Sequence, residues 1–448
     1  VLLILLVVGC SPAVTPTPTA APAAAAATKP ASPPSSGTTA PPTIASAPPA
    51  ASTAAPTAGQ PIKIVSLNST TGSLAFSGYR GHQGATMAVE EINKAGGVLG
   101  RQFALTVMDD KTDPQEGVKL FRQAVADGVV ASIGPFASAV APAVSQTALE
   151  LKTPMFLPGA WSRFLTEEAG HRYSIRIATN DVVFASATAE EVSKQAYTKY
   201  CTIGFDFAYG RDITTNTMNA LKKLKPGVSV LPGCEFWPKL GDTNLTSYIT
   251  AMMSAKPDAV LFGGLVADGV TAFMKQSNQF GLFKTVAAIH PSLGMPLNNW
   301  ALSKEDVFPG IVTGAGYPYP PVNTPANKAF YDAFRAKFND FPMETSVESY
   351  YAVKALAKAI QKAGTMDKEK IIDALEGMTV DLLTGPTVTI RPFDHQSTQG
   401  WWMGELTWDD QLGHAAMKNA HYVAADPYLA TQQDIQRLRT PTTPVPTK

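Results

Sequence analysis

Cysteine, net charge and long apolar runs are what this chain has least of. Its 448 residues hold three cysteines, Cys10, Cys201 and Cys234, and its 36 lysines and arginines are balanced by 36 aspartates and glutamates. With no net field, neither nucleic acid nor an anionic membrane surface is implied as a partner, and specificity has to come from a local site. The apolar run Val1–Val8, "VLLILLVV", is far short of the ~20 residues that cross a bilayer as a helix. Charge is almost absent from residues 11–60, where Lys29 is the single charged residue among Ala, Pro, Thr and Ser. Such a segment buries too little apolar surface to offset its ordering entropy, and its prolines keep it extended.

What is present divides the chain. "VLLILLVVGC" fits the end of a secretory signal peptide entered partway, and the small residue before Cys10 resembles a bacterial lipobox. Acylation of Cys10 would make residues 11–60 a tether between a membrane anchor and a folded body, and "TPTTPVPTK" at the other end reads as a frayed terminus. Between these ends, short apolar runs alternate with helix-period segments. "IKIVSL", "FALTVM", "VVASIG", "MFL" and "YSIRI" form one strand series; "CTIGF", "VSVL", "DAVLF", "TVAAI" and "GIVTG" form a second. Helical periodicity marks 81–95, 114–127, 139–151, 243–255, 267–280, 325–338, 347–363 and 368–375, with Asp113-Pro114 a strong helix start. Repeated strand–helix units predict parallel sheets covered by helices on both faces. Two such series predict two lobes, and the late elements, ending in "TVTI" and "WWMGEL", are too few for a third domain, so the chain must cross between lobes repeatedly.

Sites of chemistry are mostly excluded. Gly78, Gly81 and Gly84 lie about ten residues beyond the first strand and lack the spacing of a dinucleotide-binding turn. No Walker lysine loop, H-E-x-x-H or G-x-S-x-G is present, so no cofactor and no catalytic residue is assigned. Asp109, Asp110 and Asp113 cluster at a strand end, but Asp113 caps a helix and the others suit a solvated turn, so no metal is assigned. Cys201 and Cys234 fall on strands flanking one helix; export favours a disulfide, and two buried thiols remain the alternative because parallel neighbours must also match in register. Two stretches stand out, "IGPFASAV" (133–140) and "LPGAWS" (157–162), each at the carboxyl end of a strand. There, small residues let backbone N–H groups approach a ligand, and Ser138 and Ser162 add hydroxyls.

Taken with "TGSLAFSGYRGHQGATMAVEEINKAGGVLGRQFALTVMDDKTDP", "DFAYGRD" and "KPDAVLFGG", these stretches make the chain resemble the type I periplasmic binding proteins of the branched-chain amino acid transporter family, from about Ile62 to Trp408. The resemblance implies two doubly wound α/β lobes joined by three crossovers and closing on a ligand, and delivery to the permease subunits of an ABC importer. Residues 61–180, continued at about 316–398, are then the first lobe; 181–315, continued at about 399–425, the second; and 426–448 a tail. Carried over by motif, Ser138, Ala160 and Ser162, with Trp161 between them, match positions that grip a ligand carboxylate. Tyr209 matches a covering tyrosine, and Phe76 an aromatic against the ligand's side chain.

The second lobe departs from that pattern. Where amino-acid-binding members present aromatics and then an acid that together hold an ammonium, this chain has Leu265 and Val266, and His290-Pro291-Ser292. Asp268 could substitute only if its loop turns inward. The expectation is therefore an amino-acid-like ligand or a small carboxylate or amide with an apolar or aromatic body, the latter favoured by these departures, His290 contacting its far end, and no chemistry performed. A ligand-sensing module of a signalling system is the alternative on the same fold, and an enzyme would need a nucleophile or an acid–base pair that is not found.

Overall fold

The computed structural model describes residues 59–72, 74–318 and 323–439. The lipobox at Cys10, nearly all of the tether and the stretch "TPTTPVPTK" lie outside the described residues.

Strands β1 (Ile62–Leu67), β2 (Phe103–Met108), β3 (Ala131–Ile133), β4 (Met155–Phe156) and β5 (Ser174–Ile175) form one sheet in the order β2-β1-β3-β4-β5, parallel throughout. Helices α1 (Ala75–Lys94), α2 (Pro114–Ala126) and α3 (Ala141–Glu150) connect them. Asp113 caps α2 by accepting the Glu116 N–H at 2.8 Å, so the Asp-Pro start acts as its chemistry predicts.

The chain then enters the second sheet through α4 (Asp181–Ser193). There β6 (Lys199–Gly204), α5 (Ala208–Leu224), β7 (Ser229–Phe236), α6 (Thr246–Ala255), β8 (Ala259–Gly264), α7 (Asp268–Phe280), β9 (Ala287–His290), the short α8 (Pro296–Asn299) and β10 (Val312–Ala315) follow. Helices α9 (Pro325–Phe338), α10 (Glu344–Ala363) and α11 (Lys368–Leu375) return to the first sheet, where Phe334, Val347, Leu356 and Ile371 share a core with Ile62, Ile64 and Ile133. A small hairpin, β11 (Thr379–Asp381) with β12 (Thr387–Thr389), precedes the last two strands, β13 (Trp401–Asp409) and β14 (His414–Val423). These complete the second sheet, β14-β13-β10-β9-β8-β6-β7, in which β13 runs antiparallel to both neighbours. The fold is thus two doubly wound lobes between which the chain crosses repeatedly.

A further element was not legible as such. Residues 432–439, read as tail, form helix α12 (Gln432–Arg439), with Ile435 only 2% exposed. Arg439 donates to the carbonyls of Thr166 and Glu167 at 2.8 and 2.9 Å, docking this helix on the first lobe. The pattern is short and mostly polar, so one buried isoleucine is all that marks it. Cys201 on β6 and Cys234 on β7 are joined in a disulfide, their Cα atoms 4.8 Å apart.

The leftover glycines of α1 serve packing. A Cβ at Gly84 would lie 1.8 Å from the Ser346 carbonyl oxygen, and one at Gly78 2.0 Å from that of Ser69. Helix α1 therefore lies backbone-close against α10, an approach that only glycine permits.

Candidate functional site

Two crossovers run side by side beneath the site. Residues 176–178 pair with 395–397, from Arg176 N–H to His395 carbonyl (2.9 Å) and from Ser397 N–H to Arg176 carbonyl (2.8 Å). Arg176 is wholly buried and the two terminal nitrogens of its guanidinium are spent on acceptors: the carbonyls of Ala160 and Ser162, both at 2.7 Å, Gln396 Oε1 at 3.0 Å and Thr166 Oγ1 at 3.3 Å. Burial pulls this arginine down to about 10, against the pull of Asp181, Glu167, Asp394 and Glu348. Ala160 sits at φ +49°, a left-handed conformation that costs a non-glycine residue about 1–2 kcal/mol, and the Arg176 bond to its carbonyl offsets that cost. The strand-end loop 158–162 is therefore shaped from below by one cation.

Above it lies an aromatic cluster drawn from both lobes. Trp161 meets Phe136 edge-on at 5.7 Å and Phe184 at 6.3 Å; Phe184 stacks on Trp401 at 4.8 Å and lies 6.4 Å from Tyr209. Phe136 and Trp161 come from the ends of β3 and β4, Phe184 and Tyr209 from the first turns of α4 and α5. Burial raises the Tyr209 phenol above its ordinary range, opposed by a hydrogen bond with Ser292. Asp181, at the start of α4, accepts the Arg163 N–H at 2.9 Å and is raised by burial to about 6.

The small residues at the strand ends have a packing reason as well as any ligand reason. A Cβ at Gly134 (φ +109°) would stand 2.0 Å from the Leu67 carbonyl oxygen, and one at Gly159 (φ +103°) 2.2 Å from the Phe136 ring. Ser138 and Ser162 are half-buried at the rims of these loops.

The sequence-predicted residues therefore separate. Trp161 and Tyr209 meet in one cluster, and Ala160 and Ser162 are held together under it. Phe76 lies elsewhere: Arg80 is sandwiched between its ring (4.0 Å) and that of Phe341 (4.4 Å) and is paired with Asp340 at 2.6 Å. Leu265 is a core residue of the second lobe and Asp268 is exposed at the start of α7, so its loop does not turn inward. His290 is fully buried, donating from Nε2 to the Leu265 carbonyl (3.2 Å) and accepting the Ser292 N–H at Nδ1 (3.1 Å). Burial lowers it to about 4, so it is neutral and both nitrogens are engaged with backbone. Its place is structural, and the sequence expectation of a ligand contact there is corrected by these bonds.

Sequence reasoning missed Arg176, Phe184, Trp401, Asp181, Glu344 and Glu348. The glutamates had a signal: at i and i+4 they continue the helical stripe of Tyr351 and Ala355, where a purely packing helix carries apolar residues.

Two lobes of parallel sheet, crossovers between them and aromatic loops from both at the strand carboxyl ends define a hinged small-molecule receptor. The sequence profile described as "Periplasmic binding protein" matches residues 61–411, and the chain belongs to that family. The Leu/Ile/Val-binding protein BraC3 of Rhizobium johnstonii is 31% identical over 330 residues, covering 72% of this chain and 85% of that one. The leucine-, isoleucine-, valine-, threonine- and alanine-binding protein of Pseudomonas aeruginosa is 29% identical over 329 residues, covering 73% and 85%. Among solved structures, an amino acid ABC transporter substrate-binding protein from Pseudomonas fluorescens Pf-5 superposes with TM-score 0.73 at 20% identity, covering 82% of this chain and 97% of that one. A solute-binding protein from Rhodopseudomonas palustris HaA2 in complex with p-hydroxybenzoic acid does so with TM-score 0.72 at 21% identity, covering 82% and 98%. The chain is a solute-binding protein of the transporter type, exported as its family is, and its role is binding rather than catalysis.

Proposed function

We propose that this chain captures a small carboxylate with an apolar or aromatic body between its lobes and hands it to the permease of an ABC importer. The observation that carries the reading is the cluster of Trp161, Phe136, Phe184 and Tyr209, contributed by strand-end loops and helix starts of both lobes. Aromatic rings offer a large apolar face, while the loop carrying Ala160, Trp161 and Ser162, together with Ser138, supplies backbone N–H groups and hydroxyls for a carboxylate. A ligand touching both lobes favours their closed arrangement by its differential affinity, and a permease can read that state. In this reading Cys10 is acylated, and residues 11–60 tether the receptor at the outer face of the membrane.

Thermal unfolding against branched-chain and aromatic amino acids, their deaminated acids and their amides tests it. A ligand at a hundred times its Kd stabilises by about 2.7 kcal/mol, a resolvable shift. Stabilisation by either carboxylate series supports the reading, and stabilisation by neither, or by the amides alone, overturns it. Ser162→Ala with unchanged affinity would remove that hydroxyl from the carboxylate grip.

A further inference from the structure

Helix α10 carries two acids that are buried beside Trp401 of the second lobe and Trp161 of the first. Its Thr345, Ser346 and Ser349 face α1: Thr345 Oγ1 donates to the Ser77 carbonyl at 2.8 Å, and Gly84 and Gly81 lie against Ser346 and Ser349. Glu344 and Glu348, one turn apart on the adjacent stripe, face away from that contact. Glu344 flanks Gly316 together with the Trp401 ring of the second lobe, while Glu348 faces the Trp161 indole and Arg176.

Both carboxyls are buried, 0% and 2% exposed, and among the described residues none of their four oxygens has a hydrogen-bond partner. The backbone N–H of Tyr317 approaches Glu344, and the Trp161 indole approaches Glu348, without reaching hydrogen-bond geometry. The Trp161 indole nitrogen is itself buried and unpartnered. The cation whose field reaches Glu348 is Arg176; its two terminal nitrogens are committed to carbonyls and to Thr166 and Gln396, and its Nε makes no hydrogen bond to either glutamate. Of the other acids that Arg176 offsets, Glu167 has Arg163 and Asp394 has Arg391. Among the described residues, Glu344 and Glu348 thus face each other's charge and Tyr351 with no ion-pair partner, and the only cation whose field acts on Glu348 is Arg176. Burial raises Glu344 to about 8 and Glu348 well above the carboxylate range.

Two buried acids beside aromatic rings make a site for a positively charged group, which both carboxylates and π faces attract. We propose that Glu344 and Glu348 are the counter-charge for an amino group on the ligand, which the second lobe's Leu265, Asp268 and His290 do not supply. This rests on the receptor reading above and narrows it: the carboxylate captured carries an amine.

Titration calorimetry of the full chain with leucine and phenylalanine, and with their deaminated counterparts 4-methylpentanoate and 3-phenylpropanoate, tests the assignment. The expected result is a preference of at least about tenfold for the amine-bearing member of a pair, a typical scale for one buried charge interaction. It should be accompanied by proton release, read from buffers of different ionisation enthalpy, as protonated acids ionise against the ammonium. Glu348→Gln and the double variant with Glu344→Gln should lose that preference while still binding the deaminated acid. Because neither substitution removes a paired partner, melting temperatures at or above wild type check that the variants fold. Wild type that prefers deaminated acids, or variants that keep the amine preference, overturn the proposal and leave the receptor reading standing. A chain that binds neither series overturns both.

Discussion

His290 and Glu344 illustrate how burial decides the role of a titratable residue. His290 is lowered to about 4 and His82, bonded to Ser66 Oγ, likewise to about 4. Between pH 4 and 6.5 the unfolded chain binds more protons at these histidines than the folded one, so they make stability fall as pH falls through that window. Glu344 acts oppositely: raised to about 8, it binds more protons folded than unfolded between about 4.5 and 8, so its contribution falls as pH rises. Glu344→Gln is therefore expected to raise stability by about 4 kcal/mol at pH 8, with the gain shrinking toward pH 5. Urea unfolding at the two pH values measures it, and an equal effect at both would contradict the assigned shift. Arg176→Met should cost roughly 3–5 kcal/mol, because it strips donors from the Ala160 and Ser162 carbonyls and leaves nearby acids uncompensated; the same unfolding experiment reads it.

At the scale of elements, the strongest tie that does not depend on packing is the disulfide between β6 and β7, closing a loop of 33 residues. Replacing both Cys201 and Cys234 with alanine is expected to destabilise by about 4 kcal/mol on the chain-entropy scale. Guanidinium unfolding of wild type and double variant checks this; an unchanged midpoint would mean that the edge strand is held by its neighbours alone. Strand and helix positions followed the apolar periodicity closely: α9 and α11 match the predicted ranges to the residue, because their stripes and Thr324 or Asp367 caps are local. Helix α1 begins at Ala75, six residues before its predicted start. Its first turns carry glycines and buried polar groups that suit contact with α10 but break an apolar pattern.

At the scale of the whole molecule, the lobes meet at a second place. Trp300 of the second lobe stacks on Phe341 of the first with ring centres 3.6 Å apart, and Phe341 continues into the Arg80–Phe76 sandwich. A contact across the lobes favours the arrangement in which it is made. Trp300→Ala should loosen it and weaken ligand affinity about three- to tenfold, the worth of one aromatic pair. Its unliganded form should scatter X-rays with a larger radius of gyration than wild type, and identical scattering would assign the stack no part in closure.

The sequence by itself determined the class of fold, the order of most elements and the candidate loops at the ends of β3 and β4, because periodicity, caps and strand-end small residues are local signals. Trp161, Ser162 and Tyr209 were legible through motifs that stand next to those signals. Only the tertiary structure decided which residues share one space. It moved Phe76 to the contact with Phe341, drew His290 into the second lobe's core and left Asp268 in solvent. It brought Arg176, Glu344 and Glu348, from segments more than 160 residues apart, together under the aromatic cluster. The physical reason is that the chain crosses between its lobes repeatedly: burial and partners at each crossing depend on segments far apart in sequence, and no local pattern records them.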